Sequence, residues 1–150
     1  MMVFLYLSTN TSFMLTKSDK SQLRGIIFRH LDGIATATSA FALQKKQVLD
    51  YILEKKSITV KALSDIFEAN EGYLNVALRV LCSQGWLNQD IDNKNNTIIY
   101  AVNEKSEAAF HLVHLYEDVV NLLRYSDRFA TEKMISTDAF IALERIFKKF

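Results

Sequence analysis

Five polar side chains that could bind a metal ion follow one another at helical spacing in the second half of the sequence. They are His111, His114, Glu117, Asp118 and Asn121. Residues three and four apart share a helix face, so two imidazoles and a carboxylate could meet at one ion. A metal site usually also takes ligands from a second element, however, and the remaining histidine, His30, is far away in the chain. The pattern therefore favours a solvated polar stripe over a metal site.

The rest of the sequence lacks the short motifs of a self-sufficient catalytic site. Its four glycines are never closer than eight residues apart, so no GxG loop for nucleotide phosphates exists. It contains neither a serine nucleophile elbow nor an HExxH motif. The single cysteine, Cys82, lies in an apolar helical pattern, which favours a buried small side chain over a reactive thiol. We expect a binding or assembly module with no catalytic, cofactor-binding or metal-binding residues of its own.

Composition indicates a mostly helical globular chain. The 150 residues contain no proline and four glycines, and 49% of them are hydrophobic. The formal net charge of +1 gives no bulk attraction to nucleic acid or to an anionic membrane. No run reaches the roughly 18 apolar residues of a membrane span, and one cysteine permits no disulfide framework. We therefore expect a cytoplasmic setting and no membrane partner.

The elements that would position any functional residue follow the order of a winged helix. A first short helix begins at the cap Thr59 and buries Ala62, Leu63, Ile66 and Phe67. A second helix begins at the cap Asn70, buries Leu74, Ala77, Leu78 and Leu81, and stops at Gly85. The period then alternates, which predicts a β-hairpin over about residues 86–102 around the loop DNKNN. The predicted fold is mainly α: a winged helix-turn-helix with a two-stranded β-hairpin wing and additional N- and C-terminal helices.

The additional helices carry apolar stripes. An early helix, capped at Ser18 or Asp19, has Leu23, Ile26, Ile27 and Leu31 at helical spacing, and residues 34–42 are rich in alanine and threonine. Small side chains permit close helix packing, within the chain or against a second copy. After the wing, a long helix capped by Ser106 presents an apolar face of Ala108, Leu112, Leu115, Tyr116, Val119 and Leu122.

The segment STDAFIALERIFKKF predicts a last helix with Phe140, Phe147 and Phe150 on its apolar face. This pattern continues to the last residue, which indicates a helix that needs a partner or a domain cut from a longer chain. We divide the chain into an N-terminal extension (1–17), a winged-helix domain with leading helices (18–103) and a C-terminal helical extension toward a missing catalytic domain (104–150).

The helix between Asn70 and Gly85 has the shape of a DNA recognition helix but not its charge. Its predicted solvent face carries one cation against one anion, and the hairpin adds Lys94 together with Asp90 and Asp92. Affinity for DNA depends mainly on cations that neutralise phosphates. The charges therefore disfavour DNA binding. The alternative stays open that the chain is a winged-helix transcriptional regulator in which Asn75, Arg79 and Lys94 contact DNA.

The segments TVKALSDIFEAN and YLNVALRVLCSQGWL, with Arg79 at a characteristic arginine position, carry a resemblance to a known family. Residues 30–125 resemble the N-terminal winged-helix region of class I S-adenosylmethionine-dependent methyltransferases of the small-molecule O-methyltransferase type. The sequence as a whole, rather than any single motif, is similar to methyltransferase domains of cyanobacterial polyketide synthases.

The resemblance implies a dimerisation or substrate-lid domain without its enzyme. S-adenosylmethionine would bind only in the missing catalytic Rossmann domain, and the expected partners are that domain, a second copy, or both. Packing candidates for this interface are Ile34, Ala37, Phe41, Phe140, Phe147 and Phe150. Phe110 and Tyr116 are the candidates for facing a substrate.

Overall fold

The computed structural model describes residues 15–124, 141, 144–146 and 148, so the predicted packing residues Phe140, Phe147 and Phe150 lie outside the described residues. The chain divides into two compact units, residues 1–32 and residues 33–150. The boundaries expected after residues 17 and 103 differ from this division and stay predictions.

The described part of the first unit is the beginning of helix α1 (Lys17–Lys45). Its N-terminus is closed by a reciprocal capping box. The hydroxyl of Thr16 accepts a hydrogen bond from the backbone N–H of Asp19 at 3.1 Å, and the Asp19 carboxylate accepts bonds from the backbone N–H and hydroxyl of Thr16. The prediction of Ser18 or Asp19 as the cap was therefore wrong by two or three positions. The cap is Thr16, and Asp19 is its partner in the capping box.

The second unit contains the end of α1 and all remaining elements. Helix α1 ends shortly before Gln47, which adopts a left-handed conformation with φ of 61°. The elements that follow are α2 (Val48–Lys55), β1 (Ser57–Thr59), α3 (Val60–Ile66), α4 (Glu71–Ser83), β2 (Asn88–Asp92), β3 (Thr97–Ala101), α5 (Ser106–Leu112), a 3₁₀ turn (Val113–Tyr116) and α6 (Glu117–Arg124).

The elements from α2 to β3 form a winged helix, as the sequence predicted. Thr59 and Asn70 cap α3 and α4 through their side chains, and Gly85 has the left-handed φ of 71° expected at a helix stop. Strands β2 and β3 form the antiparallel hairpin, with Asp90 opposite Ile99. Strand β1 pairs with the other edge of β3, which gives the order β1-β3-β2. Periodicity missed β1 because three residues are too few to show alternation.

The core is built where α2, α3, α4, the sheet and α5 meet. Fully buried members include Leu49, Ile52, Leu63, Leu78 and Leu81. Leu74 is buried as predicted, whereas Ala77 is half-buried. In α3 the buried positions are Val60, Leu63 and Ser64, which share one helix face, and Ile66 on the opposite side is 49% exposed. The predicted burial of Ile66 was therefore wrong.

The helix expected after the wing is interrupted. A 3₁₀ turn separates α5 from α6, and its three-residue period rotates the following side chains relative to a continuous α-helix. The buried apolar positions of this segment are Phe110, Val113 and Val120, while Leu112 and Leu115 are exposed. The predicted apolar face was wrong for those two leucines and for Ala108, which is also exposed.

Ser106 does not cap α5 as predicted; it is the first residue of the helix and fully buried. Its hydroxyl donates to the carbonyl of Trp86 at 2.7 Å and accepts from the backbone N–H of Asn103 at 2.8 Å. This residue therefore fastens the start of α5 to the segment that enters the wing. Among the described residues, no helix is both long enough and apolar enough to cross a membrane.

Candidate interaction surfaces

The face of α4 that a DNA-binding winged helix would present is only weakly polar. Its exposed side chains are Glu71, Tyr73, Val76, Arg79 and Ser83. Its most exposed apolar and aromatic side chains are Tyr73 (80%) and Val76 (60%). Neither residue type forms the bidentate hydrogen bonds to base edges that arginine, asparagine and glutamine form.

Asn75, one of the three predicted DNA contacts, faces the protein interior. Its side-chain oxygen accepts a short hydrogen bond from the hydroxyl of Tyr100, which also lies 3.3 Å from the Asn75 carbonyl. Gln89 on β2 donates to the same hydroxyl at 3.5 Å. Because Tyr100 is fully buried, desolvation raises the pKa of its phenol to about 12 and keeps it a neutral donor. Asn75 therefore joins α4 to the wing, a role that does not suit base contact.

Arg79, the second predicted DNA contact, is exposed on α4. Within the part of the chain that the structure describes, no carboxylate forms a salt bridge with it. Cys82 lies one turn further along, half-buried, and burial raises the pKa of its thiol against the opposing effect of Arg79. Cys82 is thus held as a thiol that packs against the core, as its pattern indicated.

Lys94, the third predicted DNA contact, lies in the turn between β2 and β3 beside a charged aspartate. The carboxylate of Asp92 accepts hydrogen bonds from the backbone N–H of Lys94 at 2.9 Å and from the side chain of Asn95 at 2.7 Å. These bonds lower the pKa of Asp92. These hydrogen bonds hold Asp92 ionised at the wing tip, where it opposes the charge of Lys94.

A second surface lies on α1, where the apolar stripe predicted from sequence is in solvent. Its members, each between 39% and 56% exposed, are Leu23, Ile26, Ile27, Phe28 and Leu31. A single exposed leucine is ordinary, but a contiguous apolar surface usually marks an interaction site. We call this set the α1 stripe.

The other predicted packing residues on α1 lie on a different side of the helix or further along it. Ala37 is 3% exposed and Phe41 is half-buried against the core, whereas Ile34 is 44% exposed. Of these three, only Ile34 has an exposed side chain for contact with a partner.

The residues expected to face a substrate are placed in or against the core. Phe110 is 2% exposed within the main cluster, and Tyr116 is half-buried against it. The burial of Phe110 does not suit substrate contact. A role for Tyr116 stays a prediction.

The histidines with metal-ligand spacing are exposed, and the Nδ1 of His114 lies 2.7 Å from the carbonyl oxygen of His111. Asp118 is buried, and Arg145 lies 3.6 Å from its carboxylate. No group of three or more potential metal ligands occurs among the described residues.

Comparison with known proteins gives one family match and several distant structural likenesses. A family model described as the AprA N-terminal domain matches residues 23–89. No curated protein matches the sequence. The YusO protein from Bacillus subtilis is 13% identical over 88% of this chain and 92% of its own, with a TM-score of 0.41.

The transcriptional regulator BldR from Sulfolobus solfataricus is 14% identical over 91% of this chain and 100% of its own, with a TM-score of 0.40. A mutant MarR protein from E. coli in complex with operator DNA is 17% identical over 90% and 98%, with a TM-score of 0.41. The winged-helix assignment rests on the element order and strand register of the chain itself.

Two features of these surfaces were not found from the sequence. The Tyr100 hydroxyl joins residues 25 positions apart, and the Ser106 hydroxyl reaches back 20 positions to Trp86. Contacts of this length leave no periodic signal. The sequence contained one indication of such a contact, namely the hydroxyl-bearing Tyr100 inside the apolar run TIIYAV.

Proposed function

We propose that this winged-helix domain is a non-catalytic interaction domain, and specifically the dimerisation or substrate-lid part of an S-adenosylmethionine-dependent methyltransferase of natural-product or polyketide biosynthesis. In this proposal the catalytic Rossmann domain is a partner that binds the cofactor, and this chain contributes packing surfaces only.

The observation that carries the proposal is the α1 stripe. Burying apolar surface contributes about 25 cal/mol per Å², so several half-exposed branched and aromatic side chains on one helix favour association. A catalytic domain or a second copy that covers them would gain this free energy. A helix covered in this way would also form a wall that excludes water from a neighbouring active site.

The charge of the α4–wing surface, which we define as residues 71–101, supports an interaction domain over a DNA reader. It contains two cations, Arg79 and Lys94, against three carboxylates, Glu71, Asp90 and Asp92. On neighbouring α3, Lys61 is paired with Asp65 four residues later. A surface with this balance gains little from the release of counterions from DNA phosphates.

The family match is consistent with the proposal, because its description is that of an N-terminal domain and it covers the α1 stripe, α4 and the start of β2. The methyltransferase partner itself rests on the resemblance of TVKALSDIFEAN and YLNVALRVLCSQGWL.

Sedimentation velocity over a range of protein concentrations tests the packing role. We expect concentration-dependent self-association, or a stable complex with the catalytic domain where that domain is supplied. Ile27→Glu should weaken the association at least tenfold, since it places a charge in the stripe. Ser21→Glu, at an exposed position of the same helix outside the stripe, is the matched control. Equal association of both variants would contradict the proposal.

The second candidate is a DNA-binding regulator, favoured by the winged-helix topology and by the exposure of Arg79 and Lys94. A fluorescence anisotropy titration with duplex DNA at about 50 mM salt separates the two functions. A regulator would bind tightly, with affinity falling steeply as salt rises, and Arg79→Ala would reduce the salt slope by about one. Absence of binding at low salt would exclude this candidate.

The coding sequence downstream of the codon for Phe150 offers an independent test. A reading frame that continues into a strand and a glycine-rich turn would support the methyltransferase partner. A stop codon next to an operator-like palindrome would favour the regulator.

A further inference from the structure

A cavity of about 580 Å³ lies within the second unit. It is open to solvent on one side and is lined by the last turns of α1, the loop between α3 and α4, and the first half of α4. Small-molecule sites in proteins commonly have volumes of about 300–1,000 Å³, so this cavity is large enough for an organic ligand.

The cavity exists because each of the three segments around it contributes an alanine. Ala42 comes from α1, Ala69 from the loop and Ala77 from α4. Beneath them Leu43 and Leu74, each 6% exposed, belong to the core and form an apolar floor. Larger side chains at the alanine positions would fill the space, so the volume follows directly from the sequence.

Two aromatic side chains add flat walls. Phe67 is oriented by an edge-to-face contact with Tyr51, whose ring centroid lies 5.5 Å away at an interplanar angle of 85°. Tyr73 also lines the cavity but is 80% exposed, so most of its ring is free of protein contacts. Aromatic rings pack best against other rings in offset or edge-on geometry, which favours a ring-containing ligand.

The polar lining is sparse and balanced in charge. Lys46 and Glu68 supply one cation and one carboxylate. The side-chain oxygen of Asn70 accepts a hydrogen bond from the backbone N–H of Tyr73, which leaves the amide NH₂ as the donor on the remaining side of that group. Such a lining selects for apolar shape and hydrogen bonding rather than for net charge.

We propose that this cavity is a binding site for a small, neutral, ring-containing apolar molecule. A ligand seated there touches α1, the α3–α4 loop and α4 at once, so its binding stabilises the arrangement of these segments in the folded state.

Titration of the whole chain with N-phenyl-1-naphthylamine, a neutral two-ring dye that becomes fluorescent in apolar surroundings, tests the proposal. We expect saturation at one dye per chain and a rise in melting temperature with dye concentration. Ala42→Trp should weaken binding at least tenfold, because the indole would occupy the cavity. Ala42 itself is exposed, so the larger side chain need not disturb the core. Ala35→Trp, an exposed position of the same helix outside the lining, should bind as the unchanged protein does.

A second pair of variants guards against misfolding in the first pair. Tyr73→Ala removes the exposed wall and should weaken dye binding, while Val76→Ala, at a 60% exposed position of α4 outside the lining, should not. Lack of saturable binding, or equal binding by Ala42→Trp and Ala35→Trp, would overturn the proposal. A dye affinity that falls as protein concentration rises would assign the cavity to contact with a second copy and would also overturn it.

Discussion

Helix α4 and the first part of α1 both carry apolar side chains at helical spacing, but the surroundings of the two stripes differ. In α4 the stripe of Leu74, Leu78 and Leu81 is at most 6% exposed, and it packs against α3 and the sheet. In α1, the members of the stripe between Leu23 and Leu31 are at least 39% exposed. A helix stripe therefore indicates that a partner surface is needed, without indicating whether the same chain supplies it.

The remaining faces of the two helices differ as well. The outer face of α4 carries balanced charges, and the side chain of Asn75 turns inward to Tyr100. The surface of α4 therefore resembles that of a structural helix more than that of a DNA-recognition helix. The face of α1 is the one with free energy available for association. This contrast supports the proposal that α1, rather than α4, provides the interaction surface.

The largest effect should come from shortening one leucine of the α4 stripe. Leu78 is fully buried, so Leu78→Ala should lower the free energy of unfolding by about 2–5 kcal/mol through lost burial and a new cavity. Ile27→Ala in the α1 stripe should change it by less than about 0.5 kcal/mol at protein concentrations where the chain is monomeric. Urea denaturation followed by circular dichroism measures both, and comparable losses for the two variants would remove the distinction between the helices.

A smaller effect should follow from removing the hydroxyl that joins α4 to the wing. Tyr100→Phe leaves the oxygen of Asn75 without this donor and should cost about 1–2 kcal/mol. Tyr73→Phe is the matched control, because its 80% exposed ring should leave stability unchanged. An equal response of the two variants in urea denaturation would show that the hydroxyl of Tyr100 contributes nothing specific.

The same tyrosine gives a pH dependence with a defined sign. Its pKa is raised to about 12 in the folded chain, against about 10 in an unfolded one, so folding favours the neutral phenol. The stabilisation is complete below pH 10 and is lost as the pH rises from about 10 to 12. Absorbance at 295 nm should show a late-titrating component that Tyr100→Phe removes.

Local signals in the sequence were sufficient for the winged helix but not for its surfaces. Thr59, Asn70 and Gly85 act within four residues of themselves, which is why both caps and the stop were predicted correctly. The role of Tyr100 depends on pairing across 25 residues. The exposure of Leu112 depends on which face of α5 the core covers, and the apolar spacing did not distinguish that face from the one with Phe110.

The periodicity of apolar residues likewise could not predict the inward position of Asn75 or the cavity behind Ala77. Both depend on which neighbours the fold brings to α4, while the pattern of a helix records only which side is apolar. The charge balance of residues 71–101 was visible in the sequence, and it remains the argument from sequence alone that bears most directly on function.

The smallest effects should come from the N-terminal caps, where the two helices again differ. Asn70→Ala removes the oxygen that accepts the N–H of Tyr73, and it should lower the global free energy of unfolding by about 1 kcal/mol because α4 is part of the core. Thr16→Ala should fray the start of α1 and leave the denaturation midpoint in place. Hydrogen exchange distinguishes the two results, and a shifted midpoint for Thr16→Ala would show that the start of α1 unfolds together with the core.

The cap of α1 should also respond to acid. Hydrogen bonds from Thr16 hold the pKa of Asp19 below its ordinary value, so the charged carboxylate contributes to the cap above about pH 4 and the contribution is lost as the pH falls through the lowered pKa. The protection factors of the first-turn amides of α1, which correct for the slower intrinsic exchange in acid, should therefore fall as the pH drops. Asp19→Asn should remove this dependence, while a stripe variant such as Ile27→Ala should keep it. An unchanged acid response in Asp19→Asn would mean that another group controls the start of the helix, and the capping box would then contribute nothing to the order of the surface on which the α1 stripe lies.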